Sequence, residues 1–335
     1  MLKRCTLLLA LAAALLLPAC GRGRRVLEVA YISAPQVALR DRVAPVYNKV
    51  GLVKNGERVE VLDRERRFLK VRTTTGVEGW IEQRYTINQE TFDQLQKLAQ
   101  DNKNEPVQAT GTTRNETNIH LEPARDSEHL YQLNQGAKLF ILKRSTSEKE
   151  PTSASPPNAQ DKKEPTKAVM EDWWLVRDAE GHTGWVLARL VDLDIPLDIA
   201  QYAEGQRIQA FFVLDEVADG DKKISEYLVL LSEPKDGMPF DYNQVRVFTW
   251  NVRRHRYETA YRERKLEGLF PITVGHESFD KEGTLPIFVL KVRDASGNLV
   301  ERKYKLNTPI VRRVLMPGEV PEKSKAPRRA KRGRR

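Results

Sequence analysis

Two stretches of this chain repeat one pattern: short alternating segments that end on a Gly-Trp pair. The first runs from Val37-Ala38-Leu39-Arg40 through Arg58-Val59-Glu60-Val61 and Phe68-Leu69-Lys70-Val71-Arg72 to Gly79-Trp80-Ile81. The second runs from Asn118-Ile119-His120-Leu121 through Leu139-Phe140-Ile141-Leu142 and Trp173-Trp174-Leu175-Val176 to Gly184-Trp185-Val186. Gly56 of the first matches Gly136 of the second. Apolar and polar residues alternate as in half-buried strands, and glycines break the runs where the chain must turn. Short strands at close spacing predict a small barrel, and their repetition predicts two. Trp80 and Trp185 are expected to plug the two barrels.

The second copy is interrupted by residues 143–168, which are rich in Lys, Glu, Pro, Ser and Ala and lack apolar periodicity. This insert is expected to be disordered. A long loop inside a hairpin is tolerable because closure entropy grows only logarithmically. Between the copies, Phe92, Leu95, Leu98 and Ala99 recur at helical spacing. They predict an amphipathic helix over 88–102 with Asn88 as its N-cap.

The pattern changes after residue 205. Continuous apolar runs cover 210–214 and 227–231, alternating runs cover 245–251 and 256–262, and 252–255 reads as a turn. Later strands are predicted over 286–292 and 299–306, joined by the hairpin signal Asp294-Ala295-Ser296-Gly297-Asn298. The predicted fold class is therefore mainly β. It comprises two small barrels at 33–86 and 110–192 joined by a helix, a β-rich C-terminal domain at 205–316, and a disordered basic tail at 321–335.

Charge and cysteine usage narrow the function. The formal net charge is +10, and the 321–335 tail alone, with eight Lys/Arg against Glu322, supplies +7 of it. The basicity is thus a tail rather than a face. The only cysteines are Cys5 and Cys20. Lys3 and Arg4 precede an apolar run over 5–17, shorter than the roughly 20 residues that span a bilayer. Leu17-Pro18-Ala19-Cys20 at its end resembles the lipobox of bacterial lipoproteins. The resemblance implies removal of residues 1–19 as a signal peptide and lipid attachment at Cys20. With Gly21 rather than Asp after the cysteine, it implies an outer-membrane anchor facing the periplasm. Arg22, Arg24 and Arg25 beside it suit anionic headgroups.

The repeated segments themselves resemble the bacterial SH3-like (SH3b) family: a Leu-x-x-Gly turn, a Trp-x-x-Val strand and a closing Gly-x-x-Gly-Trp-Val. The first copy has Phe68 where the family carries tryptophan, and the second has His120-Leu121 where it carries arginine. The resemblance implies SH3-like barrels in the cell envelope and peptidoglycan as a ligand. The alternative is an assembly or regulatory factor whose barrels bind another envelope protein, such as a wall hydrolase.

Catalytic patterns are missing. With both cysteines in or beside the leader, no cysteine nucleophile remains. No Gly-x-Ser-x-Gly elbow and no His-Glu-x-x-His pair occurs, and the five histidines are scattered singly. Glu171 and Asp172 are adjacent, so on a strand they point to opposite faces. No enzymatic activity, cofactor or metal is expected. The aromatics suit binding instead. In Trp173-Trp174 one ring is expected in the core and the other at a groove. Tyr47, Tyr131 and Trp174 are the candidate groove residues. Trp250, Tyr257 and Tyr261 are expected to cluster across strands. The basic tail suits anionic lipid or glycolipid, and export argues against nucleic acid.

Overall fold

The computed structural model describes residues 25–149 and 168–315. The leader with Cys20, most of the insert and the basic tail lie outside the described residues. The fold is mainly β, with three seven-stranded sheets. The chain divides into two compact units between Phe92 and Asp93.

The first unit holds β1 (Glu28–Ile32), β2 (Gln36–Arg40), β3 (Lys49–Lys54), β4 (Arg58–Glu65), β5 (Phe68–Thr73), β6 (Glu78–Glu82) and β7 (Thr86–Asn88). Their order in the sheet is β3-β2-β6-β5-β4-β1-β7. Inward residues of alternate positions, among them Leu39, Val59, Val61, Leu69, Val71 and Ile81, form its core. Gly56 at the β3–β4 turn has φ +78°, a conformation that glycine adopts without a Cβ penalty.

Helix α1 (Gln89–Asp101) follows. Asn88 caps it, its Oδ1 accepting the Thr91 N–H at 2.8 Å.

The second unit contains two sheets. One is built from β8 (Ala109–Thr113), β9 (Thr117–His120), β10 (His129–Leu133), β11 (Lys138–Glu148), β12 (Met170–Asp178), β13 (Thr183–Leu187) and β14 (Val191–Leu193). Its order, β10-β9-β13-β12-β11-β8-β14, is strand for strand that of the first sheet. Trp173 lies opposite Leu187 as Phe68 lies opposite Glu82. Gly136 repeats the φ of Gly56 at +78°. The other sheet is a meander in chain order: β15 (Arg207–Asp219), β16 (Lys222–Ser232), β17 (Tyr242–Asn251), β18 (Arg256–Phe279), β19 (Gly283–Arg293), β20 (Leu299–Asn307) and β21 (Ile310–Val314). β18 serves two neighbours, pairing with β17 up to Gly268 and with β19 beyond it. At that corner an added Cβ on Gly268 would lie 2.1 Å from the Tyr242 ring, so the strand can turn there only with glycine.

The two sheets of the second unit share one hydrophobic core. Ile119, Leu139, Ile141, Trp174, Val176 and Val186 from one join Leu228, Leu230, Val247, Phe288 and Leu290 from the other. β16 is buried on both faces: Leu228 and Leu230 face this core, while Tyr227, Val229 and Leu231 face a smaller cluster around Ile199 and Phe248. This is why residues 227–231 read as a continuous apolar run.

Charges cross the same junction. The Arg144 guanidinium donates to the Asp172 carboxylate at 2.8 Å and to the carbonyl oxygens of Met238 and Phe240 at 3.1 and 2.9 Å. Asp172 also accepts the Gly237 N–H at 2.8 Å. Arg207 reaches Asp172 at 3.4 Å and Asp236 at 2.8 Å. Arg144 and Asp172 are almost completely buried.

Three sequence expectations need correction. Residues 143–148, assigned to the disordered insert, continue β11 and pair with 170–175. The buried Arg144–Asp172 pair and the extended hairpin register hold them there, and residues 150–167 lie outside the described residues. Trp80 and Trp185 are half-buried rather than core plugs. On β6 and β13 the inward positions belong to Gly79 and Gly184. An added Cβ would come within 2.7 Å of Leu39 Cβ at the first and 2.6 Å of the His120 carbonyl oxygen at the second. The neighbouring strand crosses too closely for an indole, and each tryptophan faces outward. Finally, both members of the Trp173-Trp174 pair are buried, at 1% and 4% exposure.

Candidate functional site

The first unit gathers an aromatic and cationic surface around Tyr47. The loop between β2 and β3 is closed by Asp41, whose amide donates to the Asn48 carbonyl at 3.0 Å. The Asp41 carboxylate accepts the Asn48 N–H at 2.8 Å and the Arg42 guanidinium at 2.7 Å. Hydrogen bonds from Arg42, then from the Asn48 backbone, lower its pKa to about 2. The closed loop places half-buried Tyr47 under the Arg40 guanidinium, 4.2 Å from the ring centroid. The same guanidinium lies 5.1 Å from the ring of buried Phe68. Glu82 holds Arg40 at 3.2 Å and Arg84 at 3.0 Å. A planar guanidinium between two rings is a rigid cation–π arrangement.

Beside it lies exposed apolar surface: Val46 at 84%, Leu52 at 58%, and also Val50 and Val77. Gly51 and Gly79 hold this patch together, since their Cβ positions fall within 3.0 Å of the Val77 and Val50 methyls. β3 is the terminal strand of its sheet, and Val50 and Leu52 sit on it.

The matching positions of the second unit are built differently. His120, at the place of Arg40, meets buried Trp173 edge-on at 5.5 Å. His129 stands 5.5 Å from it. Burial pushes both imidazoles below their ordinary value. Glu171 pairs with Arg125 on the outer face of β12, while Asp172 points the other way to Arg144. This is the alternation expected of neighbours on a strand.

The candidate groove residues do not form one groove. Tyr47 is half-buried and adjoins the exposed Val46. Tyr131 stacks on the His182 imidazole, with centroids 3.6 Å apart and planes at 20°. Trp174 packs in the shared core against Phe270, 6.4 Å between centroids, as well as lining a cleft. It is not an exposed groove residue, because the third sheet covers the side of the strand on which it lies. Trp250 and Tyr257 do pair across strands at 5.0 Å, but Tyr261 meets Tyr304 instead. Cys20 lies outside the described residues. Sequence reading missed Arg40 as a clamp and the apolar patch on β3. The patch sits in Val50-Gly51-Leu52, where an edge strand exposes residues that alternation alone would bury.

Within the second unit, His182 gives the Tyr131 stack a pH dependence. The Asp178 carboxylate accepts its Nδ1–H at 2.8 Å, and that bond raises the imidazole pKa above 6.5 against the opposing effect of burial. Burial of Asp178 works to raise its own pKa, but the His182 hydrogen bond and charge win and lower it below 3.8. The His182 contribution is therefore full below its unfolded value and lost as pH rises through the raised one. The Asp178 contribution is full above its unfolded value and lost as pH falls. In thermal melts, the stability gap between the natural chain and His182→Gln is expected to shrink as pH rises from 6 to 9. A gap unchanged across that range would show that the ion pair is not the source.

Residues 37–87 match a family model described as the bacterial SH3 domain. This segment is a bacterial SH3 domain. The Tyr47–Arg40–Phe68 cluster and the β3 patch both belong to this SH3 domain. No curated protein is significantly similar to the chain. Among solved structures, NlpC1 from Trichomonas vaginalis is 10% identical, with 72% of this chain and 90% of that one covered and a TM-score of 0.19. NlpC2 from the same organism is 10% identical, with 83% and 97% covered and a TM-score of 0.18. At such TM-scores neither likeness bears on function.

Proposed function

We propose that this chain is a non-enzymatic protein of the bacterial cell envelope, anchored by lipid on Cys20, that contacts peptidoglycan through SH3-like domains. The bacterial SH3 domain at 37–87 carries the reading. Its half-buried Tyr47 and exposed Val46 and Leu52, with Arg40, supply apolar, stacking and cationic contacts to one ligand. The identical strand order in the second unit supports a second copy of the domain. At the matching position the second unit carries half-buried His120 against buried Trp173, so the Tyr47–Arg40 cluster of the first is the surface to test. Among the described residues no group of His, Cys, Asp and Glu could hold a metal.

The test is co-sedimentation of residues 20–335, carrying Cys20→Ser, with purified wall sacculi across a salt series. Binding should persist at 1 M salt, where the Debye length is about 3 Å. Tyr47→Ala should weaken it roughly three- to tenfold, the worth of one stacked aromatic contact. Binding that disappears with salt would assign it to the 321–335 tail. The unpaired edge of β3, with Val50 and Leu52 outward, favours a second reading in which an envelope protein adds a strand there. No sedimentation with sacculi at any salt would move that reading to first place.

A further inference from the structure

The second unit contains a cleft of about 400 Å³ between its two sheets, at the small end of the roughly 300–1,000 Å³ usual for ligand pockets. One wall is apolar, with Trp174, Val191, Leu193 and Ile208. Three arginines stand around it, and two of them are already matched. Arg114 pairs with Asp192 at 2.6 Å and Arg207 with Asp236 at 2.8 Å.

Arg189 is the third. It is exposed on the turn after β13 and makes no hydrogen bond or ion pair among the described residues. The first unit shows what is missing. There Arg84, at the same place after β6, is held by Glu82 at 3.0 Å. The position of Glu82 is occupied in the second unit by Leu187. The nearby Glu171 carboxylate is already taken by Arg125. Thus the same turn holds its guanidinium directly on a carboxylate in one unit, while in the other Arg189 acts on Glu171 only through its charge and makes no direct bond.

The cleft also has an unmet acceptor. Gln209 lines it at 3% exposure; its Nε2 donates to Ser232 Oγ, while its Oε1 has no partner. A buried polar atom left unpaired costs free energy that an arriving donor recovers.

We infer that this cleft binds the C-terminus of a short apolar peptide. The terminal carboxylate meets Arg189, a backbone N–H satisfies Gln209 Oε1, and small apolar side chains lie on Trp174 and Ile208. An acyl chain has no N–H and would leave the Gln209 oxygen unmet. This inference does not depend on the wall-binding reading, which rests on the first unit.

The experiment is calorimetric titration of the full chain with N-acetyl-alanyl-alanine and, separately, with its C-terminal amide. The acid should bind saturably and the amide roughly tenfold more weakly or worse, as expected when a charge-assisted hydrogen bond is lost. Arg189→Gln should weaken the acid by a similar factor and leave the amide unchanged. Since Arg189 is exposed and makes no direct hydrogen bond or ion pair among the described residues, the variant should melt within a degree or so of the natural chain. No saturable binding of the acid, equal binding of acid and amide, or an Arg189→Gln variant that binds like the natural chain would each overturn the inference. Tyr47→Ala should leave the titration unaltered, which separates this site from the sacculus surface.

Discussion

Asp172→Ala is expected to destabilise the second unit by about 3–5 kcal/mol, the usual cost of removing one partner from a buried ion pair. The pair sits where the two sheets meet, and almost no water reaches it. With Asp172 gone, the Arg144 guanidinium keeps its contacts to the Met238 and Phe240 carbonyl oxygens, and Asp241 is 3.4 Å away. Asp241 cannot replace Asp172: burial raises its pKa, and its Oδ2 is committed to the Phe270 N–H at 2.7 Å. The Gly237 N–H would lose its acceptor as well. Asp172→Asn separates the two effects, because it retains an acceptor for Gly237 and removes only the charge. A double variant, Arg144→Met with Asp172→Leu, should be less destabilised than Asp172→Ala, since it removes the buried guanidinium together with its carboxylate, Arg207 keeps Asp236, and Asp241, whose pKa burial already raises, can take up a proton. Urea unfolding followed by tryptophan fluorescence measures all three. A loss under 1 kcal/mol for Asp172→Ala would mean that water reaches Arg144 and the junction is not dry.

Trp174→Ala is expected to cost about 3–5 kcal/mol, typical of truncating a large buried aromatic. Trp174 is 4% exposed and belongs to the core that both sheets of the second unit share. Its counterpart on β5 of the first unit, Leu69, closes a core made by one sheet alone. The larger side chain is needed where the core continues to Phe270 of the neighbouring sheet. Truncation therefore loosens the packing of two sheets together. Tyr47→Ala provides the contrast: it removes a half-exposed ring and one cation–π contact, worth about 1 kcal/mol or less. Equal losses for the two variants in denaturant unfolding would contradict this assignment of core and surface.

The two expectations bear on how far a sequence can be read. Trp173-Trp174 looked like one core residue and one groove residue, because neighbours on a strand face opposite sides. The alternation holds, with Trp174 inward and Trp173 outward. What alternation leaves open is whether the outer face is covered. His120 lies edge-on against Trp173 and buries it. Trp80 and Trp185 illustrate the converse. Gly79 and Gly184 were legible as turn-like residues of a closing motif. That they take the inward position, and so push the adjacent indoles out, depends on how closely β2 and β9 cross them. Arg40 and Arg189 were not singled out at all, because a lone arginine on a strand or turn has no signature until its neighbours are known.

Local periodicity by itself determined that the chain is mainly β, that two segments share one strand pattern, that a helix capped by Asn88 follows the first, and that a third run of strands ends the described chain. These features depend on residues a few positions apart, where backbone geometry sets the period. Tertiary structure alone decided that the second and third sheets share a core, that Arg144 and Asp172 are buried at their junction, that Tyr47 is half-buried beside exposed Val46 while Trp174 is buried, and that Arg189 makes no direct bond to a carboxylate as its counterpart Arg84 does. Each of these depends on which faces meet across many residues of sequence, and burial and charge pairing are properties of the meeting rather than of either segment.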